Sequence, residues 1–214
     1  PRGWYDVEID LERLGHIDAR CPKRVRGAWR EVAVRKAAES MTLPPAESIT
    51  LPPEGAQTTY RCEEGVSPLK RLLIMRHAKS DWADRSLEDF DRPLNARGQR
   101  DVPILAQFLA GSAPPNLVVA SAARRAQETA TGLLETLDDK PELILDGNLY
   151  LSTPNTLATV LGAGAGDAQT VVVIAHNPGV EEWASQLSGA TIHMPPGAIA
   201  CLDSDAETWS EAGH

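Results

Sequence analysis

From Pro68 onward, short apolar runs alternate with segments whose apolar positions recur every three or four residues. Residues 71–75 form the first run, and Leu72-Leu73-Ile74-Met75 stops at Arg76-His77. A run this short, flanked by charge, predicts a strand buried on both faces. Residues 80–94 are polar and charged, which predicts a loop over the strand ends. Asn95 is placed to cap a helix reaching about Ala110, with Val102, Leu105, Phe108 and Leu109 as its apolar stripe. Gly98 and Pro103 predict a break or late start near Pro103. Residues 117–120 read as the second strand, and Ala126, Ala130, Leu133, Leu134 and Leu137 as one face of the helix after it. A third strand is expected at 142–145, a helix from Pro154 to Leu161, and a loop at 162–167. Residues 170–175, the most β-prone run, again end at a histidine, His176. Asn177-Pro178-Gly179 turns the chain into a helix carrying Val180, Trp183, Ala184 and Leu187. A last strand near 198–202 precedes a polar tail. This alternation predicts an α/β fold: a three-layer α/β/α sandwich with a mostly parallel central sheet.

Residues 1–67 differ in character. Arg20, Lys23, Arg24, Arg26, Arg30, Arg35 and Lys36 alternate with Val25, Trp29, Val32 and Ala33, a spacing that predicts one amphipathic helix. Thr42-Leu43-Pro44-Pro45 and Thr50-Leu51-Pro52-Pro53 form a small repeat whose paired prolines oppose helix and central strand alike. The expected organisation is a poorly ordered basic arm with a Pro-rich linker over 1–67, followed by one catalytic-sized domain over 68–214. A partner or membrane contact is the rival reading of the arm.

Composition narrows the function classes. A formal net charge of -9 disfavours generic contact with nucleic acid or anionic lipid, so neither partner is expected. Cys21, Cys62 and Cys201 are odd in number and far apart, which points away from a disulfide framework or zinc site and toward the cytoplasm. No apolar stretch approaches the roughly 20 residues of a membrane-spanning helix.

The candidate chemistry lies at the strand ends, where ligands of open α/β sheets bind. Two of these ends present His77 and His176. A third, at Ser121, leads into Arg124-Arg125 at the start of a helix, where the unpaired N–H groups favour an anion. Two imidazoles and arginines from two segments describe a pocket for a dianionic phosphoryl group.

These motifs carry a resemblance. Residues 69–209 resemble the histidine phosphatase (phosphoglycerate mutase-like) superfamily, most closely its SixA branch of phosphohistidine phosphatases. Leu73-Ile74-Met75-Arg76-His77-Ala78-Lys79-Ser80 is similar to the motif around the family's nucleophile. Asp91-Arg92-Pro93-Leu94-Asn95 and Gly98 resemble the segment that follows it. Ser121 to Thr129 matches S-x-x-x-R-A-x-x-T, which selects Arg125 over Arg124 as the phosphate ligand. Val173 to Gly179 resembles the G-H-N-P-G block, with Ala175 where glycine is common.

The resemblance implies phosphoryl transfer to His77, with His176 as the second catalytic histidine and Arg76 and Arg125 as phosphate ligands. Neighbouring cations disfavour imidazolium and so help keep His77 neutral. Its second ring nitrogen needs an acceptor, expected to be a backbone carbonyl. Arg92 reads either as a further phosphate contact or as a salt-bridge partner of Asp89 or Asp91. Ser80 is a candidate phosphate donor. No metal or other cofactor is called for, since the guanidinium groups take the electrostatic role. The carboxylate general acid of the mutase and phosphomonoesterase branches has no counterpart in Asn148-Leu149-Tyr150-Leu151-Ser152; Asp146 is the nearest candidate. General acids typically contribute about 10²–10⁴-fold to rate. A phosphohistidine leaves as imidazole and depends less on one, so the expected substrate is a phosphorylated protein, such as a histidine-phosphotransfer component. A small phosphorylated molecule and a non-catalytic phosphate-binding module are the alternatives. Because every motif lies beyond residue 68, a chain beginning at Ser67 is expected to fold and turn over substrate like the full chain, which its specific activity and thermal midpoint will check.

Overall fold

The computed structural model describes residues 70–214 and, upstream of them, the strand β1 (Arg30–Arg35). The strands β2 (Lys70–Arg76), β3 (Leu117–Ser121), β4 (Glu142–Asp146), β5 (Thr170–Ala175) and β6 (Ile199–Ser204) complete a sheet of order β1-β6-β2-β5-β3-β4. β2, β5, β3 and β4 run parallel; β6 lies antiparallel to β2, and β1 antiparallel to β6.

Apolar alternation along the strands builds two cores. Leu72, Ile74, Val171 and Val173 face the helices α3 (Pro154–Gly164), α4 (Gly179–Ser188) and α5 (Trp209–Ala212). Leu73, Met75, Val172 and Ile174 face α1 (Ala96–Ser112) and α2 (Arg124–Thr136). The expected three-layer α/β/α architecture is therefore the observed one.

Four local expectations are corrected. Residues 30–35, assigned to an amphipathic helix by their spacing, form a strand on β6. Their Arg-Glu-Val-Ala-Val-Arg sequence alternates as well as it spirals, and the open edge of β6 supplies hydrogen bonds that an isolated helix lacks. The other residues of the 1–67 region lie outside the described residues. The helix α1 runs through Pro103 without a break. Pro103 sits on its exposed side, where water can satisfy the released carbonyl, while buried Val102, Leu105 and Leu109 hold the turns on either side. Helix α3 extends to Gly164, past Leu161. The polar tail contains α5, started by a Thr208–Glu211 capping box. Its Trp209 is buried and donates from Nε1 to the Ala168 carbonyl at 2.8 Å.

Asn95 caps α1 as expected, accepting from the Gly98 amide at 2.9 Å. Two glycines allow backbone to approach backbone beside the strand ends. A Cβ on Gly98 would overlap the Lys79 carbonyl, and one on Gly179 would overlap that of Ser152. The first contact seats α1 on the turn after β2; the second seats the β4–α3 connection on the start of α4. Gly98→Ala is expected to cost about 1–3 kcal/mol, the usual range for overpacking, read as a lowered midpoint in denaturant unfolding. The truncation at Ser67 would remove the β1 pairing, so its thermal midpoint also measures the contribution of that strand.

Candidate active site

The chain leaves β2 and β3 toward the α1–α2 layer and leaves β5, which lies between them, toward the α3–α4 layer. Such a reversal opens a crevice beyond the strand ends. A cleft of about 360 Å³ lies there, lined by residues that include Arg76, His77, Arg92, Arg125, His176 and Asn177. A larger groove of about 650 Å³, lined by Leu94, Val102 and Gly132 among others, contains no histidine and, of the arginines in the motifs, only Arg124. The chemistry belongs to the smaller cleft.

His77 is 6% exposed. Its Nδ1 lies 2.7 Å from the Ala78 carbonyl, the expected backbone acceptor. A carbonyl only accepts, so Nδ1 carries the proton and Nε2 keeps its lone pair. Nε2 accepts from Arg125 Nε at 3.1 Å. Burial above all, then Arg125, Arg76 and Arg92, pushes the His77 pKa down to about 3, while the Ala78 bond pulls it up. The turn after His77 is anchored by Thr129, whose hydroxyl accepts from the Ala78 amide at 3.1 Å and donates to the Arg125 carbonyl at 2.7 Å.

His176 lies beside it, with ring centroids 5.0 Å apart. Its Nε2 is 2.9 Å from Ser121 Oγ. Ser121 is fully buried, its oxygen already accepts from the Ala123 amide, and among the described contacts its proton has only this nitrogen to go to. We therefore assign Nδ1 as the protonated nitrogen of His176. That nitrogen is buried and has no partner, as is Arg76 Nε. Burial, followed by His77 and Arg125, pushes His176 to about 3. Arg76 is held through Nη1, which donates to the Met194 carbonyl at 2.9 Å. Glu181 Oε2 accepts from the Met194 amide and from Asn177 Nδ2. Glu181 thus braces the cleft wall from outside its lining, and its charge favours the Arg76 cation.

Arg125 points into the cleft, whereas Arg124 is half-exposed and pairs with Glu128. Of the two sequence readings of Arg92, the salt bridge is the one observed. It lines the cleft, and it forms a salt bridge with Asp89 while donating to Asp81 O at 2.9 Å and Ser80 Oγ at 2.6 Å. Its guanidinium stacks 3.2 Å from the Trp82 ring centroid. Ser80 is buried in the same lining. Asp146 stands apart: its carboxylate caps the short turn after β4, accepting from the Asn148 amide, and it is not in the cleft lining.

Sequence reasoning missed two groups. Asp89, on a short 3-10 turn (Asp89–Asp91), lines the cleft and accepts from Arg92, from Arg125 and from the Tyr150 hydroxyl at 2.8 Å. Burial pushes this carboxyl up, but the Tyr150 hydroxyl, Arg125 and Arg92 outweigh it and hold the pKa below the usual carboxylate value. The one signal for Asp89 was its spacing of three from Arg92. Tyr150 stood in the segment searched for a carboxylate and carried no signal of its own.

Comparisons with known proteins agree with this geometry. Residues 72–149 match the family model described as histidine phosphatase superfamily (branch 1). An uncharacterized chloroplastic protein of Arabidopsis thaliana is 30% identical over 171 residues, 73% of this chain and 77% of that protein. An uncharacterized protein of Mycobacterium tuberculosis is 33% identical over 105 residues, 49% of this chain and 63% of that protein. Among solved structures, a protein named SixA from Agrobacterium tumefaciens is 25% identical with a TM-score of 0.57, covering 64% of this chain and 93% of that one. The protein histidine phosphatase SixA complexed with tungstate shares the fold at 23% identity and a TM-score of 0.55, covering 61% of this chain and 86% of that one.

The two histidines titrate near 6.5 when unfolded and about 3 when folded. Between those values the unfolded chain binds more protons, so each ring withdraws stability as pH falls from 6.5 toward 3, at about 1.4 kcal/mol per unit. Histidine NMR is expected to show both rings neutral down to pH 5, and a midpoint near 6.5 for either would contradict the site as described.

Proposed function

Because the chain belongs to the histidine phosphatase superfamily, on its SixA-like side, we propose that it is a phosphohistidine phosphatase. It hydrolyses the phosphoramidate of a phosphorylated protein through a phosphohistidine at His77. The carrying observation is the convergence of three groups at one cleft: the His77 Nε2 lone pair, engaged by Arg125 Nε, and two buried donors without acceptors, Arg76 Nε and His176 Nδ1. A dianionic phosphoryl group complements all three.

In this reaction His77 Nε2 attacks phosphorus and the P–N bond to the substrate imidazole breaks. The Ala78 carbonyl, on the far ring nitrogen, stabilises the positive charge that develops on the ring. Arg125 Nε passes from His77 Nε2 to a phosphoryl oxygen as the new P–N bond takes that lone pair. Arg76 and Arg125 hold the equatorial oxygens, where guanidinium forks bind in pairs. Water then attacks phosphorus, His77 leaves as neutral imidazole, and phosphate departs. The guanidinium groups balance the charge, so the proposed reaction uses no metal.

An alkoxide leaving group would need a proton in the transition state. Asp89 is a carboxylate of the cleft lining, and two arginines and a phenol hold it ionised, which makes it a poor proton donor. This supports phosphohistidine over sugar or nucleotide phosphates as substrate. The scattered cysteines support the cytoplasm as the place of action.

Phosphohistidine peptide is expected to be hydrolysed in the presence of a chelator, with an acid-labile, alkali-stable phosphoenzyme trapped on quenching. His77→Ala should abolish both turnover and trapping. Arg125→Ala should lower kcat by about 10²–10³, the loss typical of removing one preorganised donor.

A further inference from the structure

In two of the three arginines in the cleft, every guanidinium nitrogen already donates a hydrogen bond. Arg125 donates from Nε to His77, from one terminal nitrogen to the Asp89 carbonyl and from the other to Asp89 Oδ2. Arg92 donates to the Asp81 carbonyl, to Asp89 Oδ1 and to Ser80 Oγ. Both guanidinium planes are therefore bridged by one carboxylate, which presents its two oxygens much as a phosphoryl group would. Arg76 alone of the three keeps an unpartnered nitrogen.

The segment that carries this carboxylate is lightly held. The turn Asp89–Asp91 has no buried residue and no side-chain cap, and the Asp89 side chain is 44% exposed. What fastens it are the bonds of Asp89 itself to Arg92, Arg125 and Tyr150, and the edge contact of Phe90 with the Tyr150 ring. Arg125 is the opposite: its side chain is buried and its helix α2 is packed in the core. When an anion competes for Arg125, the carboxylate can yield and the arginine cannot.

The geometry points to Asp89 as a resident counter-anion of the phosphate site, a positioning residue that holds Arg125 and Arg92 in place in the free protein and competes with phosphoryl oxygens for them. This rests on the phosphatase reading of the cleft and adds how phosphate affinity is set there. A dianion that takes the donor held by the Asp89 carboxylate must displace it, which weakens the ground-state binding of substrate and of product phosphate alike. The arginines meanwhile stay oriented and their charge stays neutralised while the cleft is empty. Fast product release is the kinetic consequence, because the carboxylate is at hand to reclaim Arg125 as phosphate leaves.

The probe is inorganic phosphate, titrated calorimetrically into the full chain and tested as a competitive inhibitor. Asp89→Asn is expected to bind phosphate at least tenfold more tightly than the unaltered protein and to lower KM for phosphohistidine peptide in parallel. Asp89→Glu, which restores the charge, should return phosphate affinity most of the way. Thermal midpoints establish that each variant is folded, and Asp89→Ser replaces Asp89→Asn if the latter is not. Unchanged or weaker phosphate binding in a folded neutral variant overturns the role of Asp89 while leaving the phosphatase reading intact. Failure of phosphate to bind the unaltered protein, together with retained turnover in His77→Ala, overturns both.

Discussion

Everything in the cleft depends on β5 pairing in parallel with β2 on one side and β3 on the other. The register sets Arg76 opposite Ala175 and Ala120 opposite Ile174. His77 and His176 consequently emerge side by side, with Ser121 one residue lower on the neighbouring strand. A one-residue slip in either ladder would send these side chains to the opposite face and dismantle the site. The apolar alternation that feeds two cores resists such a slip, because it would also place Leu72 and Leu73 on the wrong layers. Core packing and catalytic geometry thus have a common origin.

Burial is the second determinant. It is the largest cause of the low pKa of both His77 and His176, ahead of the neighbouring guanidinium groups. A neutral His77, with one nitrogen tied to a carbonyl, keeps a lone pair on the other at any physiological pH. The same burial makes unpartnered donors costly, and Arg76 Nε and His176 Nδ1 are two such donors; the proposed phosphoryl group would supply them with acceptors.

Asp89 changes how the absence of a carboxylate after the third strand is to be understood. The cleft does contain a carboxylate, brought by the loop before α1 and held ionised by Arg92 and Arg125. The proposed phosphoramidate substrate accordingly rests on the protonation state of a residue that is present, not on a missing one.

The strand cores, the order of the elements and the residues His77, His176, Arg76 and Arg125 were legible in the sequence, because each sits at the end of an apolar run or in a motif whose spacing a strand or helix start dictates. Local pattern also carried the Asn95 cap and the choice of Arg125 over Arg124. It failed where distant backbone decides. The edge of β6 turned 30–35 into a strand, flanking core contacts kept α1 intact through Pro103, and the Thr208 box made a helix of the tail. The roles of Arg92, Asp89 and Tyr150 were closed to sequence for the same reason: a salt bridge three residues apart looks like a surface pair until Tyr150, 61 positions onward, and Arg125 are brought against it. Chain pattern determines which strands and side chains exist to build a phosphate site. Only the packed sheet decides which charges meet there, because those contacts span separations that no local periodicity encodes.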